Sequence, residues 1–336
     1  LRRQQMRARQ HVAVAPPGER FAIGNQLAER ESHGNRASVC YRANASYAGR
    51  LYRYISENGF DTVVMPHIFP TEALTCIRRR HPEAELLTCF IATDYACVPF
   101  LGETDADLYC IPHEYLRHSF AESGIPAHKI AATGIPVRDR FLSHAEKAEA
   151  RARLGLPVEG QLLLVMTGSM GYGNVEALLA ALRARIPAAH VLVMGGNNER
   201  LKRTLRTEFA TDMQISVLDY TNEVSLYLDA ADLLFTKPGG LSSTEAAVKG
   251  IPMVHTAPIP GWESDNAAFF EALGLSRTGD TPLLQADQAA LLLASPTAME
   301  RMRERQRREI NPHAAEDISA LLLERAEADV PGERVI

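Results

Sequence analysis

The feature that most constrains this chain is the alternation running from residue 162 to residue 255. Five short apolar runs, at 162–166, 191–194, 215–218, 233–235 and 253–255, alternate with stretches of helical period near 175–185, 199–209 and 224–230. Apolar runs this short, bounded by turn residues, read as strands buried on both faces. Strands joined through helices by short links specify a parallel, doubly wound sheet, which offers its sites at the carboxyl ends of the strands.

The first part of the chain repeats the pattern less regularly. Tyr47, Leu51, Tyr54 and Ile55 recur at helical spacing, so 41–58 is expected to form one helix closed by Asn58-Gly59. Strands are expected at 62–65, 86–92 and 108–111, helices at 72–80 and 115–123, and a loop at Gly134-Ile135-Pro136. Residues 1–40, with their arginines and Pro16-Pro17-Gly18, show no sustained period and read as a poorly ordered extension or remnant. At 336 residues the chain exceeds the usual single-domain size. The expected division is 41–140, 141–310 and a C-terminal helix with tail at 311–336. A helix at 145–154 lies in the passage between domains, and further helices are expected at 264–273, 286–293, 298–310 and 314–328.

Composition narrows the function classes. A net charge of −5 argues against a general nucleic-acid binder, and 46% hydrophobic with 23% charged residues suits an ordinary soluble core. The five cysteines form no CxxC pair, which fits a reducing cytosol. No apolar run is long enough to span a bilayer, so any membrane contact is expected to be peripheral.

The stretch Phe235-Thr-Lys-Pro-Gly-Gly-Leu-Ser-Ser-Thr-Glu245 reads as strand, glycine turn and helix, with the helix expected from Thr244. Gly239 and Gly240 carry no Cβ to block a close approach, and a helix start presents free N–H groups to a phosphate. Glu245, expected in the first turn, suits a ribose diol; Ser242-x-x-Glu245 equally fits a capping box. A second glycine turn, Gly168-x-x-Gly171-x-Gly173, follows 162–166 and matches neither the dinucleotide nor the phosphate-loop spacing. The strand after it ends in Gly195-Gly196 without an acidic residue, which disfavours a nicotinamide cofactor. Together the two turns describe a diphosphate pocket at one sheet edge. Glu263 and Asn266 sit where a loop enters a helix and suit sugar hydroxyls, or else that stretch is a helix cap at Ser264 or Asp265. His67 and Asp94 lie at strand ends, where either can take a proton from an acceptor hydroxyl or simply bond nearby backbone. Asp105-Ala-Asp107 reads as a polar turn rather than a cation site. The arginines of 298–310 face either anionic headgroups or the glutamates beside them.

These pieces carry a resemblance. Thr93-Asp94, Thr133-Gly-Ile-Pro-Val137, Gly168-Ser-Met-Gly171, Lys237-Pro-Gly-Gly-Leu-Ser-Ser-Thr-Glu-Ala246 and Pro260-Gly-Trp-Glu-Ser-Asp-Asn266 are similar, in content and order, to the diacylglycerol glycosyltransferases. That group contains plant galactolipid synthase and bacterial processive glucosyltransferases and is related to the lipid-II-forming N-acetylglucosaminyl transferase. The resemblance implies an α/β GT-B fold, two Rossmann-like domains facing a cleft, and inverting transfer of a hexose from a UDP-sugar to diacylglycerol or a related lipid. It implies no metal or cofactor, and an anionic membrane surface on the inner face of the cell membrane as the place of work. It further implies the diphosphate at Gly168, Ser169, Met170 and Gly171, the uracil at Tyr220, and the ribose at Glu245. Gly239, Gly240, Ser242 and Ser243 would border the same donor, with its sugar at Glu263 and Asn266. His67 and Asp94 are the catalytic candidates. Trp262 stands where the family has glutamine, and the family's first strand with its glycine-rich, histidine-ending loop has no counterpart in 1–40. The first domain is therefore expected to be shortened at its N-terminus. The alternatives are N-acetylglucosamine transfer to a lipid-linked cell-wall precursor and a catalytically inactive UDP-sugar-binding module.

Overall fold

The computed structural model describes residues 38–168 and 174–329. Residues 1–37 of the expected extension, and Ser169, Met170 and Gly171, lie outside them.

The first unit begins with helices α1 (Val39–Ala45) and α2 (Ala48–Glu57), then runs β1 (Thr62–Met65), α3 (Ile68–Arg80), β2 (Leu87–Ile91), β3 (Leu108–Ile111), α4 (Arg117–Glu122) and β4 (Ile130–Ala132). Its four strands are parallel and lie in chain order, β1-β2-β3-β4. After α5 (Lys147–Arg153), the second unit runs β5 (Leu162–Met166), α6 (Val175–Arg185), β6 (His190–Met194), α7 (Glu199–Glu208), β7 (Ile215–Leu218) and α8 (Val224–Ala230). It continues with β8 (Leu233–Thr236), α9 (Gly240–Val248), β9 (Met253–His255), α10 (Trp262–Ala272) and β10 (Arg277–Thr278), and then with α11 (Pro282–Leu293), α12 (Pro296–Glu309) and α13 (Ala314–Asp329). This sheet is also parallel, but its order is β10-β9-β8-β5-β6-β7. The chain moves outward from β5 to β7, then returns to β5's other side at β8. That reversal opens a crevice beyond the carboxyl ends of β5 and β8, the place where such sheets bind ligands.

The strands alternate their faces with period two. Leu163, Val165, Val191, Val193, Leu233 and Phe235 pack against α6 and α11. Leu162, Leu164, Leu192 and Leu234 join a core that continues into the first unit through Phe269, Phe270 and Tyr95. The Tyr95 and Phe269 rings stack 4.5 Å apart, joining the units by apolar area as well as by polar contacts. On the outer side of the first sheet, Cys89, Ile91, Leu108 and Cys110 are covered by Ile318, Leu321 and Leu322 of α13. Arg325 donates to the Asp107 carbonyl at 3.0 Å. The last helix among the described residues, α13, thus covers the outer side of the first sheet.

Several expectations change. The single helix over 41–58 is two, because at Ser46 the hydroxyl and the N–H both turn back to the Ala43 carbonyl. The helix expected from 72 begins at Ile68, capped by His67. The short strands β4, of three residues, and β10, of two, were not expected.

Candidate functional site

Gly168 closes β5 at φ +71°, a left-handed conformation that glycine adopts without strain. Three strands away in sequence, β8 ends at Thr236 and is followed by Lys237, Pro238 and Gly239. Gly239 caps α9 with an extended backbone and no side-chain hydrogen bond, so the first-turn N–H groups keep their positive end uncovered. Between these two turns lies an open cleft of about 260 Å³ bordered by Met166, Gly168, Gly196, Tyr220 and Ser242. Tyr220, just beyond β7, is 66% exposed on its rim.

The helix start decides the Glu245 alternatives. Because α9 begins at Gly240, five residues precede Glu245 in the helix and it stands in the second turn. Ser242 is inside the helix and is not its cap, so the capping-box reading and the first-turn placement are both corrected. Glu245 is three residues from Ser242 and shares its helical face. Burial raises the Glu245 carboxyl above the usual range, while the Arg138 and Arg140 guanidinium groups act against that rise. A half-buried carboxylate that feels two arginines, three residues along the helix from the cleft-lining Ser242, is suited to accept from a diol.

The adjacent serines separate. Successive helix positions differ by about 100°, so only one of the two faces the cleft. Ser243 is fully buried and its hydroxyl lies 3.0 Å from His255 Nε2, while Ser276 lies 3.1 Å from Nδ1. The expectation that Ser243 borders the donor is thereby corrected: it fastens α9 to β9. Burial pushes the His255 imidazole down to about 3, so it is neutral in that clasp.

Gly240 has a different use from the expected one. A Cβ built there would lie 2.0 Å from the Thr93 carbonyl oxygen, whereas one at Gly239 meets nothing within 4 Å. Gly239 thus keeps space open on the cleft side, and Gly240 admits the backbone of the first unit. Around this contact the units are bolted together. The Asn266 amide donates to Asp94 Oδ1 at 2.8 Å and to the Pro238 carbonyl at 2.9 Å, and its oxygen accepts from Tyr95 N–H at 2.6 Å. Tyr95 OH meets Thr244 Oγ1 at 2.8 Å. Asn266 is wholly buried, and all three bonds are internal to the protein. As it stands, its amide positions Asp94 rather than facing a sugar.

Glu263 is likewise engaged: it is ion-paired with Lys237 and accepts from Ile259 N–H at 2.9 Å. Lys237 was not singled out from sequence, although it stands two residues before Gly239. Of the catalytic candidates, Asp94 is half-buried at the seam, beside the start of α9. His67 is exposed at the start of α3, where Nδ1 accepts from Phe69 N–H at 3.2 Å and the ring meets Phe69 edge-on. Asp105 and Asp107 are held by Arg78, Lys129 and Thr88. In α12, Arg303 and Arg307 pair with Glu300. Among the described residues no group of three or more metal-ligating side chains occurs, and no helix is long and apolar enough to cross a membrane.

Residues 24–137 match the monogalactosyldiacylglycerol (MGDG) synthase family, a match that begins inside the stretch read as an extension. A processive diacylglycerol beta-glucosyltransferase of Staphylococcus saprophyticus is 30% identical over 237 residues, 70% of this chain and 60% of that protein. The chain resembles the diacylglycerol glycosyltransferases. A second relative with the same name, from Staphylococcus epidermidis, is 27% identical over 64% of this chain and 55% of its own length. The chain therefore spans between 55% and 60% of these two relatives. Among solved structures, Acinetobacter baumannii MurG superimposes with a TM-score of 0.61 at 17% identity, covering 84% of this chain and 78% of MurG. Anabaena HepE in complex with UDP gives 0.59 at 13% identity, covering 82% of each chain. The diacylglycerol glycosyltransferase resemblance and the two facing parallel sheets agree on a GT-B architecture.

Proposed function

We propose that this chain carries a UDP-hexose-dependent, inverting glycosyltransferase that acts on diacylglycerol or a related lipid. The observation that carries the reading is one cleft lined by Gly168 of the β5 turn, Tyr220 and Ser242 of the first turn of α9, whose start is uncapped, at the reversal of the strand order. In this reading the first-turn N–H groups of α9 and the Gly168 turn hold the diphosphate, with Ser169, Met170 and Gly171 continuing it. Glu245 accepts from the ribose, and the backbone at Tyr220 borders the uracil. Negative charge growing on the leaving UDP is met by backbone dipoles already oriented toward it.

Asp94 takes the proton of the acceptor hydroxyl. Asn266 donates to Asp94 Oδ1 and to the carbonyl of Pro238, so one amide links the carboxylate to the residue before Gly239. His67 is the second candidate base; its ring nitrogen already serves the helix start. The complex UDP–HepE and the names of the Staphylococcus relatives support the donor class and the lipid acceptor. The lipid acceptor of the relatives and the exposed Arg301 and Arg305 of α12 support work at an anionic inner membrane face.

The test is to incubate the purified protein with radiolabelled UDP-glucose or UDP-galactose and diacylglycerol vesicles. Labelled glycolipid is the expected product. UDP binding without transfer from either donor replaces the reading with an inactive binding module, and transfer from UDP-N-acetylglucosamine to a lipid-linked precursor alone replaces the acceptor class.

A further inference from the structure

Lys237 and Glu263 form an ion pair beside the Gly168 turn and the start of α9. The Glu263 carboxylate is nearly buried at the start of α10, with one oxygen on Ile259 N–H and the other on the Lys237 ammonium. The lysine is less enclosed. Its side chain is 27% exposed and runs alongside Gly168, whose missing Cβ would lie 3.1 Å from Lys237 Cε. Lys237 therefore passes between the Gly168 turn and the start of α9, the two elements that border the cleft. With one oxygen on a backbone N–H, the nearly buried Glu263 carboxylate takes its countercharge from Lys237. An ammonium at this point stands beside both turns across which a diphosphate would lie, and its four-carbon stem lets it turn from one anion to another.

We infer that Glu263 stores the Lys237 ammonium in the empty site and hands it to the donor diphosphate. This rests on the donor-site reading above. The handover has two consequences. The pyrophosphate gains a point charge in addition to backbone dipoles, the task that a bound cation performs in other diphosphate sites. Glu263 is released at the same moment, and its carboxylate becomes free for hydroxyl groups of the donor sugar. Sugar recognition is then coupled to diphosphate binding, because the glutamate is occupied until the lysine leaves it.

The experiment is calorimetric titration of the full chain with UDP and, separately, with uridine, which keeps the ribose and base but lacks phosphate. Lys237→Gln is expected to weaken UDP at least tenfold and leave uridine within twofold, with Lys237→Arg recovering part of the loss. Glu263→Gln is expected to tighten UDP two- to fivefold, since the lysine no longer has a competing carboxylate, again without moving uridine. Equal effects of Lys237→Gln on UDP and uridine, or no effect on either, overturn the inference while leaving the donor site in place. If the unmodified protein binds neither ligand, the donor-site reading itself falls and takes this inference with it. Should Lys237→Gln fail to fold, the Glu263→Gln titration decides: tighter UDP supports the handover, and unchanged or weaker UDP overturns it.

Discussion

The two sheets are built from the same strand–helix unit but are threaded differently. In the first, strand order follows chain order, so every connection moves in one direction and no crevice opens between diverging helices among the described residues. In the second the order reverses at β5 and β8, and the turns beyond those strands diverge around an open cleft. The candidate residues behave accordingly. Of those in the second unit, Gly168, Tyr220 and Ser242 line the cleft and Gly239 has open space beside it, whereas Gly240, Ser243, Glu263 and Asn266 are held in packing or at the seam. Those of the first, His67 and Asp94, are tied into a helix cap and into the seam. The lesson is that the cleft is lined by the second unit alone, while the seam is built from both, with the first unit supplying a surface against which α9 is pressed.

The largest expected effect comes from breaking that seam. Gly240→Ala places a Cβ against the Thr93 carbonyl, and forcing backbone apart at a packed contact costs about 3 kcal/mol. Urea denaturation should register the loss, whereas Gly239→Ala, with open space around it, should cost far less. Equal costs at the two positions would erase the distinction between a joining glycine and a binding glycine.

Next in size is Glu245→Gln. Loss of charge-assisted hydrogen bonds is worth about 2 kcal/mol, or roughly thirtyfold in UDP affinity. Asp94→Asn should leave UDP affinity nearly unchanged and abolish transfer. A UDP titration of both variants checks the division; a loss at Asp94 as large as that at Glu245 would place the nucleotide against the first unit instead.

A smaller effect is graded with pH. His255 titrates near 6.5 when unfolded and is pushed down to about 3 in the native core, so the unfolded chain binds the extra proton in between. Stability from this group is therefore fully present above pH 6.5 and is lost as pH falls through that window, by about 1.4 kcal/mol per unit. Denaturation midpoints at pH 7 and pH 5 should converge once His255 is replaced by Gln. If the variant keeps the full pH slope, the clasp between Ser243 and Ser276 is not its source.

The smallest effect belongs to His67. Asn in its place still accepts from the Phe69 N–H, so Tm should fall by less than what about 0.5 kcal/mol would produce. Transfer activity that survives His67→Asn assigns the proton to Asp94; activity that disappears with Tm intact assigns it to His67.

Local regularities were legible from sequence because local forces cause them. The strands at 62–65, 108–111, 162–166, 215–218 and 253–255 have the bounds that apolar runs between turn residues imply. Gly168 and Gly239 were legible as turns that keep a backbone approachable. What escaped depends on partners distant in the chain. Asn266 reads as a polar loop residue until Asp94, 172 positions away, is brought to it. The two serines look alike in sequence, and only the start of α9 at Gly240 decides which one turns to His255. Gly240 itself was assigned to a ligand because the carbonyl it accommodates belongs to another sheet. Lys237 escaped for the same reason, since its meaning lies in Glu263 and Gly168 rather than in its neighbours.

The return of α13 to the first sheet also bears on how the chain is made. Asp107 and Arg325, which that helix joins, stand 218 positions apart. At roughly 5–20 residues per second, a ribosome needs on the order of ten to forty seconds to cover that interval. Throughout that time Cys89, Ile91, Leu108 and Cys110 are without the cover of Ile318, Leu321 and Leu322. Apolar surface left exposed on a nascent chain in this way is the kind that chaperones shield until its covering helix, here α13, emerges.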